Sequence, residues 1–474
     1  FGSRPVPVPA RGGRWHAPPA SGHDAAPCPP RVGPIEVAHR TAACWVAAAV
    51  TAMASLMQAQ HELRRTNSRL GRGDSSREYT AVPQGSGEEK KQKDGAPAND
   101  CVGLANIFMG HKILSSLLLA LPMGFASHHM KMDAQYVFIF NFIAIIPLAW
   151  LIGKATEDVA AKVGETAGGL LNATFGNVVE MLLCIAGIRN NEIVVVQCTL
   201  LGSILSNLLL VMGCAFLAGG LFYPVQKYNQ AGAATQCSLM ALSVFAIGLP
   251  TIYTNILPQE TEWEHMVKVS RWASIFLLGV YFAYLVFQLK THAELFQDEA
   301  GEEDEEEEAP DLSFPSAAIL LGVCTVVTAF ATDFLIDAIV GTVDTWNVSK
   351  EFIGIILLPI IGNAAEHYTA ITVAMRNKMD LSLGVAAGSS CQMALLVTPF
   401  TVIVGWCCGT EMTLNFHAFQ LAVLMFAVFL VTTILNNGMS NWLEGLILLV
   451  TYLVVSLIYF CEGAGKDSSL ATLD

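Results

Sequence analysis

The groups most able to do chemistry sit in two short motifs, Gly176-Asn177-Val178-Val179-Glu180 and Gly362-Asn363-Ala364-Ala365-Glu366. Both lie inside apolar stretches, where an ionised side chain at the centre of a bilayer-spanning helix costs at least ~2.5–3.5 kcal/mol. In each motif Asn and Glu are three residues apart, which puts them on one helix face. The leading glycine can loosen the helix and free a backbone carbonyl. Brought together, the motifs would offer two carboxylates, two carboxamide oxygens and the carbonyls of Gly176 and Gly362. Such hard oxygen donors suit Ca²⁺, with its roughly 6–8 oxygen ligands, better than zinc or copper. Two adjacent carboxylates repel, and either a divalent cation or protons relieve the repulsion. Metal and protons then compete for the same oxygens, since ligation needs the deprotonated form. That competition is sufficient for cation/proton exchange if the loaded forms are the mobile ones. The plainer alternative is a buried structural pair.

Neutral donors follow at matching positions. Ser203 corresponds to Ser389, and Gln392, one turn after Ser389, corresponds to Ser206. These can bind an ion directly or through water, or simply hydrogen-bond between helices. His367 follows Glu366 and points about 100° away from it, which allows either a proton relay or plain packing. Further acids fit an access path for cations: Asp333 and Asp337, one turn apart, and Glu157 with Asp158. For these a helix-end role is an equal reading. Asn347-Val348-Ser349 matches a glycosylation acceptor, a weak signal by itself.

The elements that must position these groups are apolar runs, each of a length that crosses a bilayer as a helix. They fall at about 109–127, 134–153, 165–188, 193–220, 233–255, 268–290, 315–341, 351–375, 381–405, 414–436 and 442–461. The second to sixth runs repeat as the seventh to eleventh at an offset of 186 residues, with 13 identities in the 47 positions from Glu165 to Val211. An odd number of spans per copy inverts the second copy relative to the first. Inverted repeats are the plan of many secondary transporters, whose site lies near the midplane where the copies meet. The expected fold is all-α and polytopic, with one peripheral transmembrane helix (104–132) and two inverted five-helix halves (133–292 and 313–465). An acidic linker or helix (293–312) joins the halves, and a short tail (466–474) follows.

The chain has 474 residues, of which 14% are charged and 53% hydrophobic, with a formal net charge of -14. Soluble domains usually carry about 25% charged residues. Ten acids lie between Asp298 and Asp311, Glu302, Glu303, Asp304 and Glu305 among them. They can gather cations by their local field, sense cations, or serve as a solvated linker. Residues 1–103 are read as a disordered or targeting region. The chain starts at Phe1, the stretch from Thr41 to Met57 is barely long enough to span, and Met53 is a plausible initiator. The 12 cysteines form no C-x-x-C pair, so neither a zinc site nor a disulfide framework is expected. Lys and Arg are nearly balanced between alternate loops, so charge gives no orientation. No phosphate-binding Gly loop, H-E-x-x-H or nucleophile–base pair is evident, which argues against an enzyme.

The paired motifs, Gly362-Asn363-Ala364-Ala365-Glu366-His367 included, resemble those of the CAX-type calcium/proton exchangers of the Ca²⁺:cation antiporter superfamily. Similar too are Gly168 to Thr174, Gly202 to Asn207, Leu289-Lys290-Thr291-His292, Ser440 to Gly445, and the acidic run itself. The resemblance covers about 104–465. It implies eleven spans and Glu180 and Glu366 as cation ligands, with Asn177, Asn363, Ser203, Ser389 and Gln392 around them. It further implies a vacuole-like membrane and a cytosolic N-terminus. Sodium-coupled relatives usually carry Pro before the motif acid, whereas Val179 and Ala365 stand here. The function expected is Ca²⁺/H⁺ antiport without a cofactor, with the bilayer as partner, no nucleic acid, and room for a homo-oligomer. The alternatives are a Mn²⁺/H⁺ or Na⁺-coupled exchanger and, more distantly, a receptor or membrane enzyme.

Overall fold

The computed structural model describes residues 100–256, 263–296 and 310–464. The N-terminal region as far as Asn99, with Met53, and the acids Glu302, Glu303, Asp304 and Glu305 lie outside the described residues. Helices dominate. The chain begins with α1 (Asp100–Gly110), α2 (Lys112–Leu117), α3 (Ala120–His129) and α4 (Ala134–Val163). Then come α5 (Glu165–Phe175), α6 (Val178–Arg189), α7 (Ile193–Leu205), α8 (Met212–Phe222), α9 (Gln230–Ile256) and α10 (Trp263–Val286). The second half holds α11 (Phe314–Asp337), α12 (Ile339–Trp346), α13 (Lys350–Phe352), α14 (Leu358–Gly362) and α15 (Ala364–Ala374). It ends with α16 (Met379–Gln392), α17 (Thr398–Cys408), α18 (Ala418–Leu435) and α19 (Trp442–Ala464). Strands β1 (Gln226–Lys227) and β2 (Met439–Ser440) form a small antiparallel pair.

Among the described residues eight helices are long and apolar enough to cross a bilayer, and eleven spans result when three bent pairs each count as one. The molecule is an all-α polytopic membrane protein. The ends of the spans carry familiar stop and start chemistry. Pro315 sits in the first turn of α11, where its missing N–H costs nothing. Asn191 and Asn377, equivalent in the two repeats, take left-handed φ values of 59° and 62° and close α6 and α15 alike. The tripeptide at Asn347 is spent the same way: Asn347 is a left-handed cap, and Ser349 accepts from the Phe352 N–H at the start of α13.

The first run departs from expectation. The stretch 109–127 is not one straight span, because the chain turns by 94° at His111, between α1 and the helices that follow. Gly110 weakens the helix there, and α1 finds better partners at the start of α11. The Asp100 carboxylate accepts from Ser316 Oγ (2.7 Å), Ser313 Oγ (2.8 Å) and Ser313 N (2.9 Å). These bonds, that from Ser316 foremost, hold its carboxyl below the usual carboxylate range. A little further on, Gly103 passes so close to Asp311 that a Cβ would lie 2.1 Å from its carbonyl oxygen.

Two apolar clusters form the core. One joins α1, α4, α11 and the Val179, Leu183 and Ala186 side of α6. The other joins α7 to α10 and α15 to α19 with the opposite side of α6, at Met181, Cys184 and Ile188. Helix α6 is therefore clamped between two layers. The two ends of α11, roughly 36 Å apart at 1.5 Å per residue, define the faces. At one end Lys154 pairs with Asp311 (3.2 Å), and at the other Arg189 pairs with Asp333 (3.2 Å). These are called the Lys154 face and the Arg189 face below.

Lipid tails are as apolar as leucine, so close packing rather than the hydrophobic effect holds such helices together. The repeats cross at Gly202 of α7, where a Cβ would lie 2.4 Å from Ile355 O, and at Gly354, where it would lie 2.5 Å from Cys198 Cβ. Gly202→Val is expected to lower the melting temperature of the purified protein through an overpacking cost of about 1–3 kcal/mol. Gly279→Ala, at a position with nothing near a new Cβ, should leave it unchanged or slightly raised. Equal behaviour of the two variants would show that the repeats are not in contact at Gly202.

Candidate functional site

Each motif sits at a break between two half-helices. Helices α5 and α6 bend by 44° at Gly176-Asn177, and the chain of α13, its π-helical continuation (Ile353–Leu357) and α14 bends by 58° into α15 at Asn363. The residue that leaves the helix is the asparagine, not the glycine: Asn177 has φ −108° and ψ 17°, Asn363 φ −90° and ψ 18°, while Gly176 keeps helical angles of −57° and −30°. The expected loosening at glycine is thus corrected. The glycines supply space instead. A Cβ on Gly362 would lie 2.7 Å from Glu180 Oε1, and one on Gly176 would lie 2.7 Å from Asn172 O. Absence of a side chain at Gly362 lets the carboxylate of the first motif reach the second.

Both glutamates occupy the first turn of a half-helix, Glu180 in α6 and Glu366 in α15. There the unpaired N–H groups of the helix end offset part of the cost of negative charge. An Asn followed three residues on by Glu at a helix start could also be a reciprocal cap. That use is absent, since neither asparagine side chain caps its helix. Asn177 Nδ2 donates to Gln392 Oε1 (2.5 Å) and to Ala173 O (3.2 Å). Asn363 Oδ1 accepts from Ser203 Oγ (2.9 Å), and its Nδ2 donates to Ser203 O (3.2 Å). Each asparagine thus binds the other repeat. The carboxylates are left over: Glu180 Oε1, Glu180 Oε2 and Glu366 Oε2 are buried with no hydrogen-bond partner among the described residues.

Of the residues singled out by sequence, the structure joins Asn177 with Gln392, Asn363 with Ser203, and Gly362 with Glu180. Ser389 is buried and accepts from Asn207 Nδ2 (3.0 Å). Ser206 is fully buried but makes none of these bonds across the repeats. His367 turns its Nδ1 to Asn363 O (2.7 Å), which occupies the carbonyl at the break and leaves Nε2 buried without a partner. The proposed access acids lie at the ends of spans, apart from this cluster. Asp333 is engaged by Arg189 and by Asn190 Nδ2 (3.4 Å), and Asp337 is exposed. Glu157 is exposed beside Lys154, and Asp158 is buried and accepts from Leu312 N (3.2 Å). Among the described residues no group of three or more His, Cys, Asp or Glu could hold a metal. Any cation here would rest on two carboxylates and neutral oxygens.

Sequence reading missed Asn207, whose Oδ1 is buried and unpartnered. It also missed the π-helical turns, Ser206–Val211 after α7 and Met393–Val397 after α16. They are equivalent in the two repeats, and such turns recur at functional sites. The available signals for Asn207 were its place one turn after Ser203 and at the end of the family-like stretch Gly202 to Asn207.

The sodium/calcium exchanger protein family matches residues 134–290 and 316–461, the two halves described above. The chain belongs to this family. Among curated members it is 43% identical to the Ca(2+)/H(+) antiporter of Synechocystis sp. (strain ATCC 27184 / PCC 6803 / Kazusa), over 74% of this chain and 97% of that protein. It is 42% identical to vacuolar cation/proton exchanger 2 of Oryza sativa subsp. japonica, over 73% of this chain and 81% of that one. Among solved members, native YfkE superposes with a TM-score of 0.64 at 31% identity, covering 73% of this chain and 99% of YfkE. The H⁺/Ca²⁺ exchanger CAX shares the fold with a TM-score of 0.54 at 13% identity, over 75% of this chain and 94% of that one.

A carboxylate buried without partners weakens a protein unless something binds it. In cation-free detergent, Glu180→Gln is therefore expected to unfold at a higher temperature than the parent, by a margin of order 1–3 kcal/mol. A structural role for Glu180 requires the reverse, a clear loss in the same melting experiment.

Proposed function

We propose that this member of the family is a secondary active antiporter that exchanges Ca²⁺ for H⁺ by alternating access, with Glu180 and Glu366 binding the cation and protons in competition. The observation that carries the reading is the set of three buried carboxylate oxygens with no hydrogen-bond partner among the described residues, held where the two repeats cross. Either one Ca²⁺ or two protons neutralises the pair. The empty, doubly charged site is the form least able to move through a low-dielectric barrier. Coupling follows, because a transporter that reorients only when loaded must trade one ion for the other. Asn177, Asn363, Ser203, Ser389 and Gln392 complete the ion's surroundings directly or through water, with the carbonyls of Gly176 and Gly362. His367 offers Nε2 as a proton acceptor next to Glu366.

The names of the relatives support this choice of ions, and several of them point to a vacuolar or similar acidic membrane. With the N-terminus cytosolic, the single crossing before α4 places the Lys154 face in the cytosol. Mn²⁺ is the alternative cargo, since it accepts oxygen ligands too.

The test is uptake of ⁴⁵Ca²⁺ into proteoliposomes under an imposed pH gradient, repeated with Mn²⁺ and with a sodium gradient. Glu180→Gln and Glu366→Gln are each expected to reduce uptake to background. Normal uptake in either variant would sink the site assignment, and uptake driven by sodium alone would sink the choice of counter-ion. Gly362→Ala should raise KM for Ca²⁺ by roughly tenfold or more, as its new Cβ displaces the Glu180 carboxylate.

A further inference from the structure

We propose that the ion pairs Arg189–Asp333 and Glu192–Lys350 form a clasp that holds the Arg189 face of the transport path shut, the structure being the state open toward the Lys154 face. The proposal rests on the exchange reading above. All the contacts leave one short loop, Arg189 to Glu192, between α6 and α7 of the first repeat, and all end on the second. Arg189 Nη1 meets Asp333 Oδ1 at 3.2 Å, Asn190 Nδ2 meets the same oxygen at 3.4 Å, and Lys350 Nζ meets Glu192 Oε2 at 2.6 Å. Both ion pairs are partly buried.

The clasp is one-sided by sequence. At the offset of 186 residues Arg189 becomes Met375, Glu192 becomes Lys378, and Asp333 and Lys350 correspond to Pro147 and Gly164. The equivalent loop at the Lys154 face is tied differently: Gln226 Nε2 donates to Asn377 Oδ1 (3.0 Å) and Ala374 O (2.9 Å), and Asn229 N donates to the Asp380 carboxylate (2.5 Å). The Lys154–Asp311 pair at that face joins α4 to the chain before α11, outside the motif helices.

Exposure divides the same way. Helices α5 and α15 connect the site to the Lys154 face. Helix α5 starts one residue after α4, and the end of α15 meets Gln226, a whole span away from Glu192. On that side Asn172, Gly176, Tyr368 and Thr369 are exposed, Tyr368 by 54%. Helix α6 and the chain from Lys350 to Gly362 connect the site to the Arg189 face; no residue from Val178 to Arg189 is exposed, and from Lys350 to Gly362 only Ile360 is, by 37%. A single exposed ion pair contributes little. A gate needs only a modest differential between two states, since each tenfold shift in population corresponds to 1.4 kcal/mol.

Cys184 is a native reporter. It lies one turn after Glu180 on the same helix face, toward Arg189, and is 1% exposed. The full chain, with its 11 other cysteines replaced by alanine, is reconstituted in proteoliposomes and treated from either side with a membrane-impermeant maleimide. Asp333→Asn combined with Glu192→Gln is expected to raise labelling of Cys184 from the Arg189 face at least tenfold. The charge swap Arg189→Asp with Asp333→Arg, made with Glu192 intact, should leave the rate at that of the parent, whereas Asp333→Arg alone should raise it. Unchanged labelling while Ca²⁺/H⁺ exchange persists in the parent overturns the clasp. Labelling raised equally from both faces together with a lowered melting temperature, the mark of general unfolding, overturns it as well. Absence of exchange in the parent chain would overturn the exchange reading instead, whatever Cys184 does.

Discussion

A carboxylate inside a bilayer is costly unless it is neutralised, and this molecule holds two, Glu180 and Glu366, with three oxygens between them that find no hydrogen-bond partner among the described residues. Glu180 is 2% exposed and has no hydrogen-bond partner among the described residues on either oxygen. Several features follow from keeping those oxygens unspent. The spans are broken at Asn177 and Asn363, so each glutamate stands in the first turn of a half-helix. The asparagines are turned to the other repeat, where their amides find Gln392 and Ser203. Helix α6 is gripped on both sides by separate apolar clusters, which fixes Glu180 without a polar contact. Buried polar atoms without partners are costly, and three of them belong to these two glutamates.

The same spacing elsewhere in the chain shows what the alternative looks like. At the start of α19, Asn441 and Glu444 are again three residues apart. There Asn441 Oδ1 accepts from the Leu443 and Glu444 N–H groups, while Glu444 accepts from Asn441 N and Asn437 Nδ2. That is a reciprocal cap, and it consumes both carboxylate oxygens. Gly445, just beyond, lets α19 approach α8 so closely that a Cβ would lie 2.4 Å from Leu217 N. The stretch from Ser440 to Gly445 is thus explained by capping and close approach. One pattern of residues closes a cap where the asparagine stays at its own helix start, and leaves the glutamate uncapped where the asparagine turns to the other repeat.

The two stretches that the family matches were legible in the sequence because Asn and Glu are out of place in apolar spans and recur at one offset, and the same rarity singles out Glu180 and Glu366, which stand in the first turns of half-helices. The geometry of the break was not. Glycine is the usual suspect for a loosened helix, yet here it marks close approach, which depends on a neighbour far away in sequence. Asn207 was invisible for a related reason: its partner Ser389 is 182 residues distant, and its counterpart in the second repeat is Met393. Likewise Asp333 looked like an access residue from its position one turn before Asp337. Its partner in the structure is Arg189, 144 residues earlier, which position in the sequence does not reveal. The bend at His111 was missed because apolar length alone says nothing about a helix that finds its partners at the start of α11.

Exact two-fold symmetry would give the site equal preference for either face, and the residues depart from it in a patterned way. The first repeat carries Ser206-Asn207 where the second carries Gln392-Met393. Each repeat therefore contributes one long-reach amide, from adjacent rather than equivalent positions. Gln392 accepts from Asn177, and Asn207 donates to Ser389. The bonds across the repeats are then unequal, and so is the burial: Glu180 is sealed while Glu366 is only half-buried. An inverted repeat supplies the two orientations that alternation needs. Departures such as these allow the two orientations to differ in intrinsic energy, a bias separate from the one that unequal ion concentrations on the two sides would impose.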